Sequence, residues 1–493
     1  MTNKEQTIEH LLATVKLYAQ QTDLDMVRLA YDFAAHAHKG QTRKSGEPYI
    51  NHPLAAAQIL ADMHIDPTIV IATLLHDVPE DTAVTIEDVE KNFGSDIAGM
   101  IRGITKLGKL KYRGVERYIE NLRKMFVAMA EDVRVMIIKF ADRINNLQTL
   151  TALPPQKQYR IALESLEIYA PIAGRLGMAE MKGQLEDLAF QYVYPKEYQH
   201  TKSLMDEKLK GKEMYLQQMQ ERAAAELERA GVPVVSIGGR QKRLYSFYQK
   251  LIRKDLDVAK IYDLVAIRII VPTIGDCYAT LGILHKMWKP MRGRIKDYIA
   301  QPKPNRYQSL HTTIFDDHGE IVEFQIRTPE IHEEAEYGIA SHWHYDEHGS
   351  RLPMRELRWV KELAEIQKEM LNKLSDLEAL KVDFLQTRIF VFTPKGDVID
   401  LPEEATPVDF AYHIHSDIGN KCTGTRVNDK MVSLDTPLKN GDVVEIIVDK
   451  GRKGPNADWL EFVKTQTARY HIKSAQKSKL PQWLRSVLSK DKK

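Results

Sequence analysis

Apolar residues recur with a helical period near 3.6 from Asp23 to about Pro154, and each recurrence predicts a helix: MVRLAYDFAAHAH, PLAAAQILADM, IVIATLLHDV, IAGMIRGI and VRVMIIKFADRINNLQTL. Pro53 falls in a first turn, where its missing N–H costs nothing, and Pro79 falls just after a helical run. Helices are expected to continue through residues 155–230, ending in the charged stretch LQQMQERAAAELERAG. Gly231 and Pro233 break that pattern. Short β-branched runs follow, VPVVSI, LVAIRIIV, TTIF and IVEFQI, separated by helical stretches, which predicts an α+β domain. RELRWVKELAEIQKEMLNKLSDLEALK predicts an amphipathic connecting helix. A compact β-rich unit comes last, from RIFVFTPKGDVIDLP to GDVVEIIV, with turn signals at KGD and NGD. The expected organisation is 1–195 helical, 196–230 a central helical connector, 231–345 α+β, 346–387 a linker helix, 388–449 the small sheet unit, and 450–493 the start of a helical region and tail.

At 493 residues the chain exceeds one ordinary core, so about three domains are expected. Apolar residues at 43% and charged residues at 28% describe a globular composition, without the long apolar run that a membrane span needs. The polar start, MTNKEQTIEH, lacks the apolar stretch of a signal peptide, and the two cysteines, Cys277 and Cys422, form no CxxC pair. Together these point to a reducing cytoplasm and to no membrane partner. The net charge of +2 conceals a segregation: six acids and no base lie between Asp77 and Glu90, and six bases and no acid between Gly239 and Lys254. The first stretch suits cations and the second polyanions.

His52, His76, Asp77 and Asp142 are the candidate metal ligands. His76 and Asp77 are consecutive, so on a helix they diverge by about 100° and share an ion only if it sits between their directions. Asp142 belongs to another predicted helix, with Asn146 and Thr149 on its face at i+4 and i+7. Two imidazoles and two carboxylates suit manganese, iron, zinc or nickel better than calcium, without choosing among them. In order, RKSGEPYINHP, HDVPEDT and ADRINNLQTL resemble the HD metal-dependent phosphohydrolase superfamily, in particular its guanosine tetraphosphate branch. The resemblance implies an all-α hydrolase domain with manganese on those four ligands. It further implies that Glu80 and Asp81 activate or position water, and that Arg43, Lys44, Asn146 and Thr149 hold substrate. General chemistry agrees, because a metal lowers the pKa of bound water and a neighbouring carboxylate can take the proton.

Beyond Gly239 the spacing of Lys242, Ser246 and Lys250 predicts one basic stripe on a helix, with Arg240 near its N-terminus, a place that favours phosphates. Strand alternation in VEFQIRT puts Glu323, Gln325 and Arg327 on one face and Val322, Phe324 and Ile326 on the other. Asp263 heads another strand and could supply a second carboxylate for magnesium, although its parity is opposite to that of Arg268. No GxxxxGK[ST] sequence occurs, which disfavours a P-loop ATPase. From Gly239 to Trp343, including KPNRYQSLHTT and HEEAEYGIASHW, the chain resembles the synthetase domain of the long Rel/SpoT alarmone enzymes, whose fold is similar to nucleotidyltransferases. By that resemblance Asp263 and Glu323 bind magnesium and Glu323 is a candidate base. Arg240 and Arg268 would sandwich adenine, while Lys242, Ser246 and Lys250 hold the triphosphate of ATP. Tyr307 would stack on the guanine of GDP or GTP, with Lys303, Asn305 and His311 nearby, and Arg294-Ile295-Lys296-Asp297 matches the basic RxKD form of bifunctional members.

Residues 388–449 resemble a TGS domain, a small ubiquitin-like (β-grasp) sheet module, in which His415 would help read the 3′ CCA end of uncharged tRNA and His413 would be a surface histidine. The family continues into further helical, zinc-finger or coil, and ACT modules. Here only their beginning, NADWLEFVKTQTARYHIKSAQK, is present, as in a truncated or naturally short form. The implied whole is a bifunctional enzyme that makes (p)ppGpp from ATP and GDP or GTP and hydrolyses it again. An enzyme with one silent site and a pure tRNA or ribosome sensor are the rival readings, and intact ligand sets at both sites argue against the sensor.

Overall fold

A computed structural model describes residues 7–108, 125, 128, 129, 131–258, 261, 264–303, 307–317, 319–343, 388–439, 441–449, 451, 452 and 454–479. The chain divides into two compact units, Met1–Glu369 and Met370–Lys493. The expected connecting helix in RELRWVKELAEIQKEMLNKLSDLEALK, the linker 346–387 and the residues Asp263 and Asn305 lie outside the described residues.

Among the described residues the first part of the larger unit is built of helices, apart from a turn with an isolated bridge between Thr42 and Pro48. Three of its helices pack on one another: Asn51–Ala61, Pro67–Leu75 and Arg134–Gln148. Asp66 caps the second, its carboxylate accepting the Thr68 N–H at 2.7 Å, and Pro67 opens its first turn. The expected helix through IVIATLLHDV ends earlier, at Leu75. Pro79 has no N–H for the carbonyl four residues back, so His76 closes one helix and Asp77 opens a separate short one, Val78–Asp81. The two candidate ligands therefore sit at a helix junction, where their directions are not bound by helical geometry.

A sheet occupies the second part, with strands β1 (Ser236–Gln241), β2 (Val265–Ile270), β3 (Lys289–Pro290), β4 (Lys296–Asp297), β5 (Leu310–Phe315) and β6 (Ile321–Arg327). Their order is β1-β2-β6-β5-β3, with β4 also on β5, and only β2 and β6 run parallel. The first strand starts later than VPVVSI implied and runs on to Gln241, because its ladder with β2 pairs Ser236 with Ile270 and Gln241 with Val265. One sheet face packs Ile267, Ile269, Phe324 and Ile326 against helices Lys212–Arg229 and Ile274–Met287. Phe324 is wholly buried, a contribution of about 1.5–3 kcal/mol for such a side chain. The opposite face carries Arg240, Arg268, Glu323, Gln325 and Arg327.

Helix Ala179–Val193 joins the two parts, packing on Arg134–Gln148 and also on Leu244–Arg253 and Pro329–Tyr337. Its Asp187 accepts the Tyr245 N–H at 2.9 Å, supplying a cap to helix Leu244–Arg253, and Glu180 pairs with Arg243. Nearby, Ile339 N–H donates to the Leu176 carbonyl at 2.8 Å. Gly338, at φ 57°, lies so close to Leu176 and Gly177 that a Cβ there would come within 2.3 Å of main-chain atoms.

The smaller unit has a hairpin, β7 (Arg388–Phe392) with β8 (Val398–Pro402), and a three-stranded sheet of β9 (Cys422–Val427), β10 (Lys430–Val432) and β11 (Val444–Val448), covered by helix Pro407–Ile414. Both expected turns hold a glycine at positive φ, Gly396 at 91° and Gly441 at 94°. Buried Asp409 accepts the N–H groups of Thr406, Lys464 and Thr465 at 2.7–3.1 Å, tying the segment after β11 to this helix.

Candidate metal centre and nucleotide site

Three helices deliver the first cluster: His52 from Asn51–Ala61, His76 from the end of Pro67–Leu75, and Asp142 from Arg134–Gln148, all buried. One ligand atom of each lies within 4.8 Å of the others. Asp77 joins them, with Oδ1 at 3.1 Å from His76 Nε2 and Oδ2 at 3.6 Å from His52 Nε2, while Asp142 Oδ1 is 3.2 Å from His52 Nε2. Among the described residues no other group of three such side chains converges.

The outer ring nitrogens fix what the inner ones present. His76 Nδ1 lies 2.7 Å from the Thr73 carbonyl, which can only accept, so Nδ1 carries the proton and Nε2 presents its lone pair to Asp77. His52 Nδ1 lies 2.6 Å from Asn145 Oδ1, an oxygen that also accepts from Arg43 Nη1 at 3.3 Å. Both imidazoles thus aim lone pairs at carboxylate oxygens. Acceptor facing acceptor calls for a cation between them, and the buried His76 Nε2 has no hydrogen-bond donor of its own. The donor set fits a divalent metal. Burial opposes the charge on Asp142, but Lys139 Nζ at 2.6 Å from Oδ2 holds its pKa well below the usual carboxylate range.

The expected substrate residues gather around this cluster. Gly46 at φ 88° closes a turn in which Gly46 N–H donates to the Arg43 carbonyl, and the turn sends Arg43 to Asn146 Oδ1 at 2.6 Å and Thr149 Oγ1 at 3.2 Å. Lys44 is exposed on the same turn. Glu80 and Asp81 are exposed on the short helix beside Asp77. Tyr49, Asn145 and Lys139 were not identified from sequence. The Tyr49 hydroxyl lies 2.9 Å from Asp77 Oδ2 and 2.6 Å from Asp81 Oδ2 and shares its one proton between them, so one group bridges a candidate ligand and a candidate base.

On the polar sheet face a chain of polar contacts connects Arg240, Glu323, His311, Tyr307 and Arg268 of the second set. Arg240 Nη1 donates to Gln325 Oε1 at 3.1 Å, and Gln325 Nε2 to Glu323 Oε1 at 2.8 Å. His311 Nδ1 is 3.4 Å from Glu323 Oε1, and its Nε2 is 2.8 Å from the Tyr307 hydroxyl. Arg327 Nη2 donates to that hydroxyl at 2.8 Å and Nη1 to Glu336 Oε1 at 3.1 Å, an oxygen shared with Arg268 Nη2 at 2.7 Å. The Lys303 ammonium lies 4.8 Å from the Tyr307 ring centre and 4.7 Å from that of Tyr298. Burial, with Lys296, Lys182 and Arg327 nearby, pushes Lys303 down to about 8. Lys296 stands opposite His311 in the β4–β5 ladder, and Arg294 lies in the turn before it, its N–H donating to the Met291 carbonyl.

The basic stripe takes a different form from the one the spacing predicts. Arg240 is on β1, Lys242 follows it with its N–H on the Leu264 carbonyl, and the helix begins only at Leu244. The ladder with β2 extends to Gln241 and holds this stretch straight, so of the three only Ser246 and Lys250 lie on the helix, whose buried residues are Phe247 and Leu251. Strand alternation placed Arg327 on the polar face without a role, and Glu336 and His332 were not singled out. In the smaller unit His415 is exposed and caps a short helix, its Nδ1 accepting the Asp417 N–H at 3.1 Å, and His413 is also exposed.

Comparison with known families matches residues 30–179 to the HD domain, 239–350 to a region found in RelA / SpoT proteins, and 389–448 to the TGS domain. A Myxococcus xanthus protein named GTP pyrophosphokinase is 45% identical over 466 residues, covering 93% of this chain and 61% of that protein. The Aquifex aeolicus guanosine-3′,5′-bis(diphosphate) 3′-pyrophosphohydrolase is 44% identical, covering 95% of this chain and 66% of its own length. The Escherichia coli bifunctional (p)ppGpp synthase/hydrolase SpoT is 44% identical over 474 residues, with 95% and 67% covered. The chain thus spans 61–67% of the length of these three relatives.

Proposed function

The chain belongs to the RelA/SpoT family, and from that premise we propose that it is a bifunctional alarmone enzyme, with a hydrolase site at His52, His76, Asp77 and Asp142 and a synthetase site on the polar sheet face. The observation that carries the reading is the inward aim of two imidazole lone pairs at two carboxylates, together with the polar sheet face, remote in sequence, which sets Arg240, Arg268 and Arg327 with Glu323 and Glu336.

In the hydrolase, the four ligands would hold manganese, which when bound lowers the pKa of water and stabilises charge on phosphate oxygens. Arg43, Asn146 and Thr149, with Lys44, hold the nucleotide. Asp81, oriented by Tyr49, or Glu80 takes a proton from the attacking water. Water adds to the phosphorus joined to the 3′ oxygen, that P–O bond breaks, and the 3′ oxygen leaves with a proton as GDP or GTP beside pyrophosphate.

In the synthetase, magnesium arriving with ATP would be held by Glu323 and Asp263 and neutralise phosphate charge. Arg240 and Arg268 take adenine; Lys242, Ser246 and Lys250 take the triphosphate. Tyr307 stacks on guanine, with Lys303, Asn305, His311, Arg294 and Lys296 around the acceptor. Glu323 accepts the proton of the 3′-OH as its oxygen attacks the β-phosphorus, the bond to the α-phosphate oxygen breaks, and AMP leaves. The TGS unit, through exposed His415, is the proposed contact for the 3′ end of uncharged tRNA and so for the ribosome.

The test is one nucleotide assay run both ways: ATP and GDP with magnesium, then purified ppGpp with manganese. Both reactions are expected, and Asp77→Ala should abolish pyrophosphate release while synthesis persists. Hydrolysis surviving in manganese-supplemented Asp77→Ala protein would sink the metal assignment.

A further inference from the structure

Arg327 is the largest fully buried side chain among the described residues, and a guanidinium is costly to bury unless each N–H finds a partner. All three of its nitrogens do. Nε donates to Ser309 Oγ at 3.3 Å, Nη2 to the Tyr307 hydroxyl at 2.8 Å and Nη1 to Glu336 Oε1 at 3.1 Å. That same Glu336 oxygen accepts from Arg268 Nη2 at 2.7 Å. Thr328, the next residue after Arg327, caps helix Pro329–Tyr337 by accepting the Ile331 N–H at 3.3 Å, which fixes the helix bearing Glu336 against the end of β6. Against the effect of burial, Arg268, Arg240 and Arg327 keep Glu336 ionised, with its pKa below the ordinary range.

One carboxylate and one guanidinium thus stand between the side chain assigned to adenine and the side chain assigned to guanine. We propose that Arg327 and Glu336 are a positioning pair that makes donor and acceptor nucleotides bind cooperatively, Glu336 orienting Arg268 directly and Tyr307 through Arg327. The inference rests on the synthetase reading. Either nucleotide, by settling its own contact side chain, also settles the shared pair, so the second nucleotide meets a site already ordered. By linkage the enhancement is the same whichever nucleotide binds first.

The experiment is calorimetric binding of GDP with and without α,β-methylene ATP and magnesium, and of the analogue with and without GDP. In the unaltered chain each should tighten the other by the same factor, roughly fivefold or more, in the usual range of such couplings. In Glu336→Gln, which keeps shape but removes charge, both nucleotides alone should bind more weakly and the enhancement should fall below about twofold. Glu336→Asp, which restores the charge on a shorter arm, should recover part of the enhancement, and it is read by the same ratio if Glu336→Gln does not fold. A structural role only would weaken both affinities and leave their mutual enhancement intact; that result overturns the proposal, as does weakening confined to one nucleotide. An unaltered chain that binds both nucleotides independently overturns it too, whereas one that binds neither overturns the synthetase reading along with it.

Discussion

Replacing Asn145 by alanine should weaken metal binding at the hydrolase site without touching a ligand. Asn145 is 5% exposed, and its Oδ1 accepts from His52 Nδ1 at 2.6 Å and from Arg43 Nη1 at 3.3 Å. A neutral hydrogen bond contributes about 1 kcal/mol and one from a charged donor about 1.5–3 kcal/mol. Arg43 retains Asn146 and Thr149, so its share of the loss falls mostly on substrate binding and at the lower end. His52 loses the acceptor that sets its tautomer, and outer partners of metal-bound histidines are typically worth about 10–100-fold in affinity, or about 1.4–2.7 kcal/mol. Metal-stripped Asn145→Ala protein titrated with manganese, with free ion followed by electron paramagnetic resonance, should half-saturate at a concentration higher by about that factor. Excess manganese should restore most of the hydrolysis rate. Half-saturation within about twofold of the unaltered chain, or a rate deficit that manganese does not relieve, refutes the reasoning.

Three further outcomes are expected. Tyr307→Ala should weaken guanine-nucleotide binding about tenfold, as stacking on an aromatic is worth roughly 1–3 kcal/mol, whereas Glu323→Gln should lower turnover; normal transfer by both variants would show the site to be elsewhere. Lys303, lowered to about 8, is half-deprotonated near that pH, and phosphate favours its charged form. GDP binding should therefore take up protons above about pH 8 and weaken as pH rises, with calorimetry in buffers of different ionisation enthalpy reading the uptake and Lys303→Met abolishing it. Finally, helix Ala179–Val193 touches elements of both sites, so ppGpp held at the hydrolase site of Asp77→Ala should weaken binding of an ATP analogue, and the reverse by the same factor. Independent affinities in both orders would leave two unlinked enzymes.

Side chains that announce their chemistry by type were legible from sequence. His52, His76 and Asp142 converge as their motifs implied, and Arg43 reaches Asn146 and Thr149. Their supports were not, because they are defined by contacts remote in sequence: Asn145 meets His52 across 93 positions, Tyr49 meets Asp77 across 28, and Glu336 meets Arg268 across 68. A tyrosine or an asparagine beside a motif carries no local mark of such a role. The displaced helix start at Leu244 has a different cause. Lys242, Ser246 and Lys250 keep helical spacing, but pairing of β1 with β2 decides where the strand ends, and tertiary pairing outweighs local period.

Gly338 gives the join between the catalytic parts a mechanical character. Where it meets Leu176 and Gly177 the approach is backbone to backbone, pinned by Ile339 N–H on the Leu176 carbonyl. Such a contact has no rotamers to repack, so it cannot lengthen or slide by degrees as an interface of side chains can. At this one point the two parts are held by main chain alone, so a side chain at 338 would have to force Leu176 and Gly177 away and break the Ile339 hydrogen bond.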